Sequence, residues 1–521
     1  MTFNLFLIQL VLFTCVVMLI RGQQLSRGWL LVAGFVLTAL SVSFFTVPDW
    51  AGLISGSLWV VLILLPIVGF AHVNRLVSQE RYQRAWKWAN LVKWLHPADG
   101  YVEYPHLLKG LHLAQQGRLE EAKQLISQYQ SANTPTGRNA TVILHRMSAD
   151  WTGLQQWVED CVPQLMLQKE PWLWLNYLRS LGEVGDLNAL LQGMEQLEQT
   201  LGRNPSPQLL NTGRLYLMAF CGQVDQVQRL LQQVFISYSE QTRQFWLATA
   251  ELRAGNATTA LALFADLRRF GDRPLQAAID YRLAAPHIDP VIVLTEPARL
   301  FLLQSRLAIA QEFRYNSWTA LTAKKSYATY SLIGLNLVVF GFSTAMGGTN
   351  DLEVLYRLGA LLPEAVFAGE WWRLMTAIFL HAGWLHLAAN MLGLYVFGAL
   401  VEATLGYRKF LCCYFFCGLG SMFTVATIAM LNPQAPWQIT VGASGAVLGM
   451  VGAEAAIQLK GWRLEKAKIA RDRLRLIVLV VVFQLLSDLV TPQVSLIGHL
   501  SGVSLGFFAG SVLFRVGPKS P

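Results

Sequence analysis

The chain has 521 residues, of which 54% are hydrophobic and only 14% are charged, and its formal net charge is +9. A soluble globular chain carries about a quarter charged residues, so this composition indicates a membrane protein, and the length predicts more than one domain. The basic residues fall mostly in amphipathic helical patterns and in short loops between apolar runs, which argues against a nucleic-acid partner.

Three apolar runs open the chain, near residues 3–20, 28–47 and 52–73. Each is long enough to cross a hydrocarbon layer about 30 Å thick. No Lys or Arg precedes the first run, which is the reverse of the order in a secretory signal, so we interpret this run as a retained anchor. We therefore assign residues 1–75 to an N-terminal membrane domain of three helices.

Amphipathic helical patterns rich in Gln, Glu and Arg follow over residues 76–270. Glycines spaced by 32 to 37 residues separate these patterns: Gly117, Gly153, Gly185, Gly222 and Gly255. Glycine suits the left-handed position that ends a helix, so each unit is predicted to be a helix–turn–helix pair. The period of about 34 residues resembles that of tetratricopeptide-like arrays, which stack helix pairs around a concave surface. An ordinary helical bundle stays open as an alternative, and the region is either a docking surface for a protein partner or a spacer.

A connector with four prolines is predicted over residues 271–326, with a helix ending near Lys324 and Lys325. Six more apolar runs follow it, near residues 327–346, 384–404, 410–431, 441–459, 474–491 and 494–514. We assign residues 327–515 to a second membrane domain of six helices. The predicted fold is thus an all-α membrane protein with nine crossings and a helical-repeat domain between its two membrane parts.

Basic residues concentrate in alternate loops of this scheme. Arg408 and Lys409 separate the second and third runs of the C-terminal set, and seven Lys and Arg residues lie within residues 460–475. Because cytoplasmic loops are enriched in Lys and Arg, the repeat domain and the C-terminus are predicted to be cytoplasmic and the N-terminus to lie outside.

This orientation brings polar residues of three helices to one layer near the outer face. Ser444 begins the fourth helix of the set, His499 begins the sixth, and His386 and Asn390 begin the second. Polar side chains inside a membrane are costly and mark functional sites by default. Histidine is the usual base that activates a serine hydroxyl, and a His and an amide four residues apart on one helix face can donate hydrogen bonds to an oxyanion.

Ser444 and His499 lie on different helices, so they require close helix packing. Small residues at about four-residue intervals supply a seam for it: Gly498, Gly502, Gly506 and Gly510 on the sixth helix, and Gly442, Gly445, Gly449, Gly452 and Ala456 on the fourth. Stripes of small residues let helix backbones approach closely in lipid.

In order and spacing, the segments GEWWRLMTAIFLHAGWLHLAANMLGLYVFGALVEATLG, GASGAVLG and GHLSGVSLGFFAG resemble the rhomboid family of intramembrane serine proteases over residues 327–515. The resemblance implies a Ser–His dyad without an acidic third member, with Ser444 as nucleophile and His499 as base. Glu454 and Asp488 are accordingly expected to make only local hydrogen bonds.

The same resemblance implies roles for the residues around the dyad. His386 and Asn390 match the pair associated with the oxyanion hole, and His381 matches an additional histidine upstream of them. Trp372 and Arg373 match a loop that dips into the membrane beside the site. Gly442 and Gly445, which flank Ser444, are expected to support the site.

The expected function is an endopeptidase that cleaves membrane-anchored proteins near the outer face of a bacterial inner membrane, without cofactor or metal. The six cysteines are scattered and predict neither a disulfide framework nor a metal site. Two alternatives remain: a non-catalytic rhomboid-like scaffold or chaperone for membrane proteins, whose members typically lack the serine or the histidine, and a transporter. Polar groups clustered near one face, without a charged path through the membrane, argue against the transporter.

Overall fold

A computed structural model describes residues 3–20, 27–96, 101–200, 207–286, 288–315, 326–432, 439–491 and 495–515. The described residues are predominantly helical, and the one β-type pairing among them is an antiparallel bridge between Leu361 and Thr440. The all-α prediction is confirmed over these residues. The chain divides into two compact units, here called the N-terminal unit (residues 10–309) and the C-terminal unit (residues 310–521 together with residues 1–9). The division into four domains stays a prediction.

The first three predicted apolar runs are helices. α1 spans Phe3–Ile20, and α2 spans Arg27–Thr46. A continuous third rod spans Pro48–Ser78. It consists of a 3-10 turn (Pro48–Trp50), α3 (Ala51–Trp59), a π-helical turn (Val60–Leu64) and α4 (Leu65–Ser78). All three helical rods are long and apolar enough to cross a membrane, as predicted.

Paired helices follow the third rod in the N-terminal unit. Their bounds are α5 Tyr82–Val92, α6 Tyr104–Gln115, α7 Leu119–Ser127, α8 Pro135–Met147, α9 Trp151–Cys161, α10 Gln164–Lys169, α11 Pro171–Val184, α12 Leu187–Thr200, α13 Pro207–Phe220, α14 Val224–Gln233, α15 Glu240–Arg253 and α16 Ala257–Phe270. Gly117, Gly185, Gly222 and Gly255 lie between the helices of four pairs, each with a φ between +66° and +98°. The helix-ending role predicted for these four glycines is confirmed, whereas the tetratricopeptide-like assignment stays a prediction.

Gly153 is a correction to the predicted pattern, because it lies inside the first turn of α9 and not between two helices. The tight turn before α9 is made by Ala149, whose φ is +52°. The carboxylate of Asp150 caps the helix by accepting from the Gly153 N–H at 3.0 Å. A Cβ at position 153 would collide with that carboxylate, so glycine is used here to admit the cap.

The connector predicted over residues 271–326 is largely helical where it is described. It contains α17 (Arg273–Ala284), α18 (Pro290–Val293) and α19 (Glu296–Tyr315). Three of its four prolines occupy the first turn of these helices, where the missing N–H of proline costs no hydrogen bond. The helix end predicted near Lys324 and Lys325 lies outside the described residues.

The C-terminal unit contains the remaining helices. Their bounds are α20 Tyr327–Ala345, α21 Leu352–Arg357, α22 Pro363–Phe367, α23 Arg373–Thr376, α24 Trp384–Gly393, α25 Ala399–Leu405, α26 Tyr407–Leu431, α27 Ser444–Glu465, α28 Lys468–Val490 and α29 Leu496–Leu513. A π-helical turn, Leu394–Gly398, joins α24 to α25 in one continuous rod, Trp384–Leu405. At the edge of the unit, the Gln9 side chain donates a hydrogen bond to the Thr491 hydroxyl at 3.2 Å.

Nine crossings were predicted, and among the described residues seven helical rods are long and apolar enough to span a membrane. All six predicted C-terminal runs are helical, but α27 and α28 are not among these seven, because their polar residues lower the hydropathy or add too many charges. Glu454 and Gln458 lie in α27, and α28 carries several charged side chains. α27 is buried on nearly all sides by its own unit, so its outer surface need not be apolar.

α27 and α29 pack backbone to backbone along the predicted glycine seam. A Cβ at Gly502 would lie 3.0 Å from the carbonyl carbon of Gly445 and closer still to its oxygen. At Gly506 it would collide with the Gly449 carbonyl, and at Gly510 it would lie 2.7 Å from the Cα of Ala453. The seam is therefore occupied by the two backbones, as the small-residue pattern predicts.

Candidate active site

Ser444 lies at the first position of α27, where backbone N–H groups have no acceptor within the helix. The chain reaches this point through an extended approach: Thr440 pairs with Leu361, and the Gly442 N–H donates to the carbonyl of Ala377 at 2.9 Å. Gly442 has a φ of +126°, which a residue with a side chain rarely adopts. The Ser444 side chain is half-buried and makes no hydrogen bond with another described residue.

His386 and Asn390 face the approach to Ser444 from α24. A Cβ at Gly442 would lie 2.7 Å from the Nε2 and Cε1 atoms of the His386 ring and 3.7 Å from Nδ2 of Asn390. Glycine at position 442 is therefore needed both for its backbone conformation and for the space that the imidazole occupies. Asn390 Nδ2 donates to the His386 carbonyl at 3.1 Å, which holds the amide one helical turn from the ring.

His381 lies next to this pair and is fully buried. Its ring centroid is 5.2 Å from that of His386, with the two planes inclined at 65°. Its Nδ1 atom lies 3.2 Å from the Phe379 carbonyl oxygen. The three predicted polar residues of this segment are thus adjacent, with His381 behind His386 in the interior of the unit.

His499 lies in the first turn of α29 and is 7% exposed. Its Nδ1 atom is 2.7 Å from Oδ2 of Asp488, a residue of the last turn of α28 that is itself 6% exposed. The other carboxylate oxygen, Oδ1, accepts from Gln484 Nε2 at 2.8 Å. Both oxygens of Asp488 therefore have partners, and one ring nitrogen of His499 is committed to the carboxylate.

The residues next to Ser444 and His499 meet at the beginning of the glycine seam. A Cβ at Gly445 would lie 3.6 Å from the carbonyl oxygen of Gly498 and would collide with the hydroxyl of Ser421. The N-terminal ends of α24, α27 and α29 consequently converge on one end of the C-terminal unit, which brings together the segments that carry the four predicted catalytic residues.

The predicted loop residues before α24 play different parts. Arg373 is buried and acts as a loop clamp: its Nη1 donates to the carbonyls of Tyr356 at 2.8 Å and Ala360 at 3.0 Å, and its Nε donates to Glu370 at 2.5 Å. Its guanidinium carbon lies 4.2 Å from the centroid of the Tyr356 ring. Trp372 is 46% exposed and presents its indole at the surface of the unit.

The contact between Asp488 and His499 corrects one expectation. Glu454 does bond locally, accepting from Gln458 one turn later at 2.7 Å. Asp488 instead has both a local partner and the imidazole of the next helix. The signal available in the sequence was a carboxylate in the apolar C-terminal half of a helix, eleven residues before a histidine in the first turn of the next helix.

The chain is a helical membrane protein in which a serine, a histidine and a pair of polar side chains lie at one end of a helix bundle, an arrangement that defines a class of intramembrane proteins. The rhomboid domain model matches residues 368–516. The chain is 31% identical over 185 residues to the rhomboid protease GluP of Bacillus subtilis, covering 36% of this chain and 34% of that protein. It is 34% identical over 163 residues to RHOMBOID-like protein 5 of Arabidopsis thaliana, covering 31% of this chain and half of the relative.

The rhomboid-type protein YdcA of Bacillus subtilis is 31% identical over 157 residues, which are 30% of this chain and 71% of that protein. The chain belongs to the rhomboid family. It spans about a third to a half of the length of GluP and of RHOMBOID-like protein 5, and the rhomboid domain model matches a C-terminal segment of this chain. The repeat prediction for residues 76–270 gains no support from it.

Proposed function

We propose that the protein is an intramembrane serine endopeptidase in which Ser444 attacks a peptide carbonyl and His499 acts as its base. The observation that carries the proposal is the convergence of three helix N-termini, those of α24, α27 and α29, on one polar site of the C-terminal unit. Polar groups inside a membrane are costly, so a cluster of them is expected to be functional. Family membership supports the same class of chemistry.

In the first step the Ser444 hydroxyl proton passes to Nε2 of His499 as the bond from Oγ to the substrate carbonyl carbon forms. Nε2 is the available nitrogen because Nδ1 is held by Asp488. The imidazolium then gives the same proton to the leaving amine as the peptide bond breaks. A water molecule activated by the same nitrogen hydrolyses the acyl-enzyme and restores Ser444.

The tetrahedral oxyanion needs donors near Ser444. The Ser444 backbone N–H lies at a helix N-terminus and lacks an intrahelical acceptor, which makes it one donor. The imidazole of His386 lies against Gly442, and the amide of Asn390 stands one turn further along the same helix. These side chains supply the remaining donors from a preorganised position, the arrangement that stabilises developing negative charge most effectively.

The expected substrate is a membrane-anchored protein with a weakly helical segment near the outer face. A substrate carbonyl bonded within a helix is hidden from a nucleophile, so residues that weaken the helix favour cleavage. Basic loops on the opposite side support a cytoplasmic repeat domain and C-terminus in a bacterial inner membrane. The site then opens toward the side from which water reaches it.

The paired helices of the N-terminal unit are proposed to bind a protein partner. One groove on this unit combines apolar and basic side chains, with Leu261 51% exposed near Arg269, while Arg268 is paired with Asp280 at 3.0 Å. Exposed leucine next to unburied arginine suits a peptide with acidic and apolar residues. The partner would recruit substrates to the protease or regulate it.

Co-expression with a tagged single-pass membrane reporter tests the enzymatic proposal. Wild type is expected to cleave the reporter, whereas Ser444→Ala and His499→Ala are expected to leave it intact. Ser343→Ala is the matched control, because Ser343 is a buried serine of α20 whose hydroxyl donates to the Val339 carbonyl at 2.9 Å, one turn earlier on the same helix. Equal cleavage by wild type and both site variants would overturn the assignment. A protein that cleaves no reporter and reacts with no serine-directed probe would instead be the rhomboid-like scaffold.

A further inference from the structure

We propose that Asp488 is a positioning residue for His499 and that the site operates as a Ser–His–Asp triad. This inference rests on the proposed protease function and adds a third residue to it. The geometry points to it directly: Asp488 Oδ2 and His499 Nδ1 are 2.7 Å apart, and both side chains are almost completely buried. At that distance and burial the contact is a short, solvent-shielded hydrogen bond.

The Asp488 carboxylate is oriented toward His499 by a residue of its own helix. Gln484, one turn before Asp488 on α28, donates to Oδ1 at 2.8 Å and leaves Oδ2 directed at the imidazole. The backbone of His499 is fixed at the same time, because its N–H donates to the Ser495 carbonyl at 3.0 Å and the Ser495 hydroxyl caps the start of α29. The pair is thus anchored on both helices, although eleven positions separate the two residues in sequence.

A buried carboxylate is expensive unless a partner compensates it, so its presence at this point requires an explanation. Packing does not supply one, since apolar residues would satisfy the interface between α28 and α29 at lower cost. Catalysis does. A carboxylate at Nδ1 fixes the tautomer that has its proton on Nδ1, leaves Nε2 free to accept the Ser444 proton, and stabilises the imidazolium that forms.

This role of Asp488 does not change which protons move during the reaction. The Ser444 proton moves to Nε2 of His499 and then to the leaving amine, while the Nδ1 proton stays between His499 and Asp488. Asp488 remains a carboxylate throughout and touches neither the substrate nor the reacting atoms. Its contribution is orientation and charge, so it should influence the chemical step more than substrate binding.

Steady-state kinetics of the purified full chain in detergent, with a single-pass membrane reporter as substrate, test the proposal. Asp488→Asn is expected to lower kcat by about 100-fold or more and to change KM by less than about twofold, because the amide cannot hold both the tautomer and the imidazolium. Asp488→Glu is expected to retain more activity than Asp488→Asn, since it keeps a carboxylate. Gln484→Ala is expected to lower kcat by only about tenfold or less, because the carboxylate remains and only its orientation loosens.

Glu402→Gln is the matched control for neutralising a buried carboxylate in the same unit. Glu402 is 7% exposed and accepts from the backbone N–H groups of Ala328 at 3.0 Å and Thr329 at 2.8 Å, so it serves helix α20 and not the site. This variant is expected to have lower thermal stability and a wild-type kcat per folded molecule. If Asp488 had only a structural role, Asp488→Asn would likewise lower thermal stability and keep a wild-type kcat per folded molecule.

The possible results separate the inference from the function on which it rests. If wild type cleaves and Asp488→Asn has an unchanged kcat, or if Asp488→Asn and Glu402→Gln lose kcat equally, the triad is overturned and the protease stands. If wild type neither cleaves the reporter nor reacts with a fluorophosphonate at Ser444, the protease proposal falls and the triad falls with it.

Discussion

Replacing Gly502 by alanine tests whether the contact between the α27 and α29 backbones sets the geometry of the site. The added Cβ would lie 3.0 Å from the carbonyl carbon and 3.1 Å from the Cα of Gly445, and closer to the Gly445 oxygen. These are backbone atoms, which cannot rotate away as a side chain could. The two helices must therefore separate by roughly 0.5–1 Å to restore ordinary contact distances of about 3.5–4.0 Å.

The expected cost follows from that displacement. Overpacking of this kind costs about 1–3 kcal/mol, which corresponds to a fall in Tm of about 2–12 °C for a unit of this size. Because Gly445 follows Ser444 and Gly502 lies one turn after His499, the separation also moves nucleophile and base apart. A misplacement of about 1 Å is expected to lower kcat by about 100-fold.

Thermal unfolding and reporter cleavage, both in detergent, measure the two effects. Gly334→Ala and Gly341→Ala on α20 are matched controls, since a Cβ at either position meets nothing within 4 Å. Alanine there is expected to leave kcat unchanged and to raise stability by up to about 1 kcal/mol through helix propensity. An unchanged Tm and kcat in Gly502→Ala would refute the close backbone contact and the reasoning built on it.

Three further predictions concern other parts of the chain. Glu402→Gln should destabilise the C-terminal unit by about 1–3 kcal/mol, because an amide introduces a buried donor facing backbone N–H groups, and thermal unfolding reports it. Glu183→Gln should destabilise the N-terminal unit by about 3 kcal/mol or more, because Arg179 and Arg282 share this one buried carboxylate, and amide hydrogen exchange over α11 and α17 measures the loss. Gly255→Ala should cost about 1–2 kcal/mol in the same exchange measurement, since its φ is +86° and open space surrounds it, which leaves only backbone strain.

The sequence predicts the helices and the site segments because each depends on local pattern. Apolar runs specify membrane rods by length, and glycines at positive φ specify the turns of the helix pairs. Small residues at intervals of four predict the packing of α27 against α29, and that packing draws the segments around Ser444 and His499 together. These features need no knowledge of how distant segments meet.

The parts that the sequence did not predict depend on geometry between elements. Asp488 and His499 are joined by a hydrogen bond between α28 and α29, and a sequence does not state how two successive helices are rotated about their axes. At Gly153 the spacing was right but the local role was different, because Ala149 makes the left-handed turn and Gly153 admits the cap from Asp150. The low hydropathy of α27 is explained only by its central, protein-enclosed position.

The central claim is that Ser444 is a nucleophile activated by His499. Its most direct test is to treat the purified full chain with a fluorophosphonate and to locate the adduct by peptide mass spectrometry. A single adduct on Ser444 in wild type, absent from His499→Ala at matched folded concentration, is the predicted result. An adduct on another residue, or equal labelling of Ser444 in His499→Ala, would contradict the claim.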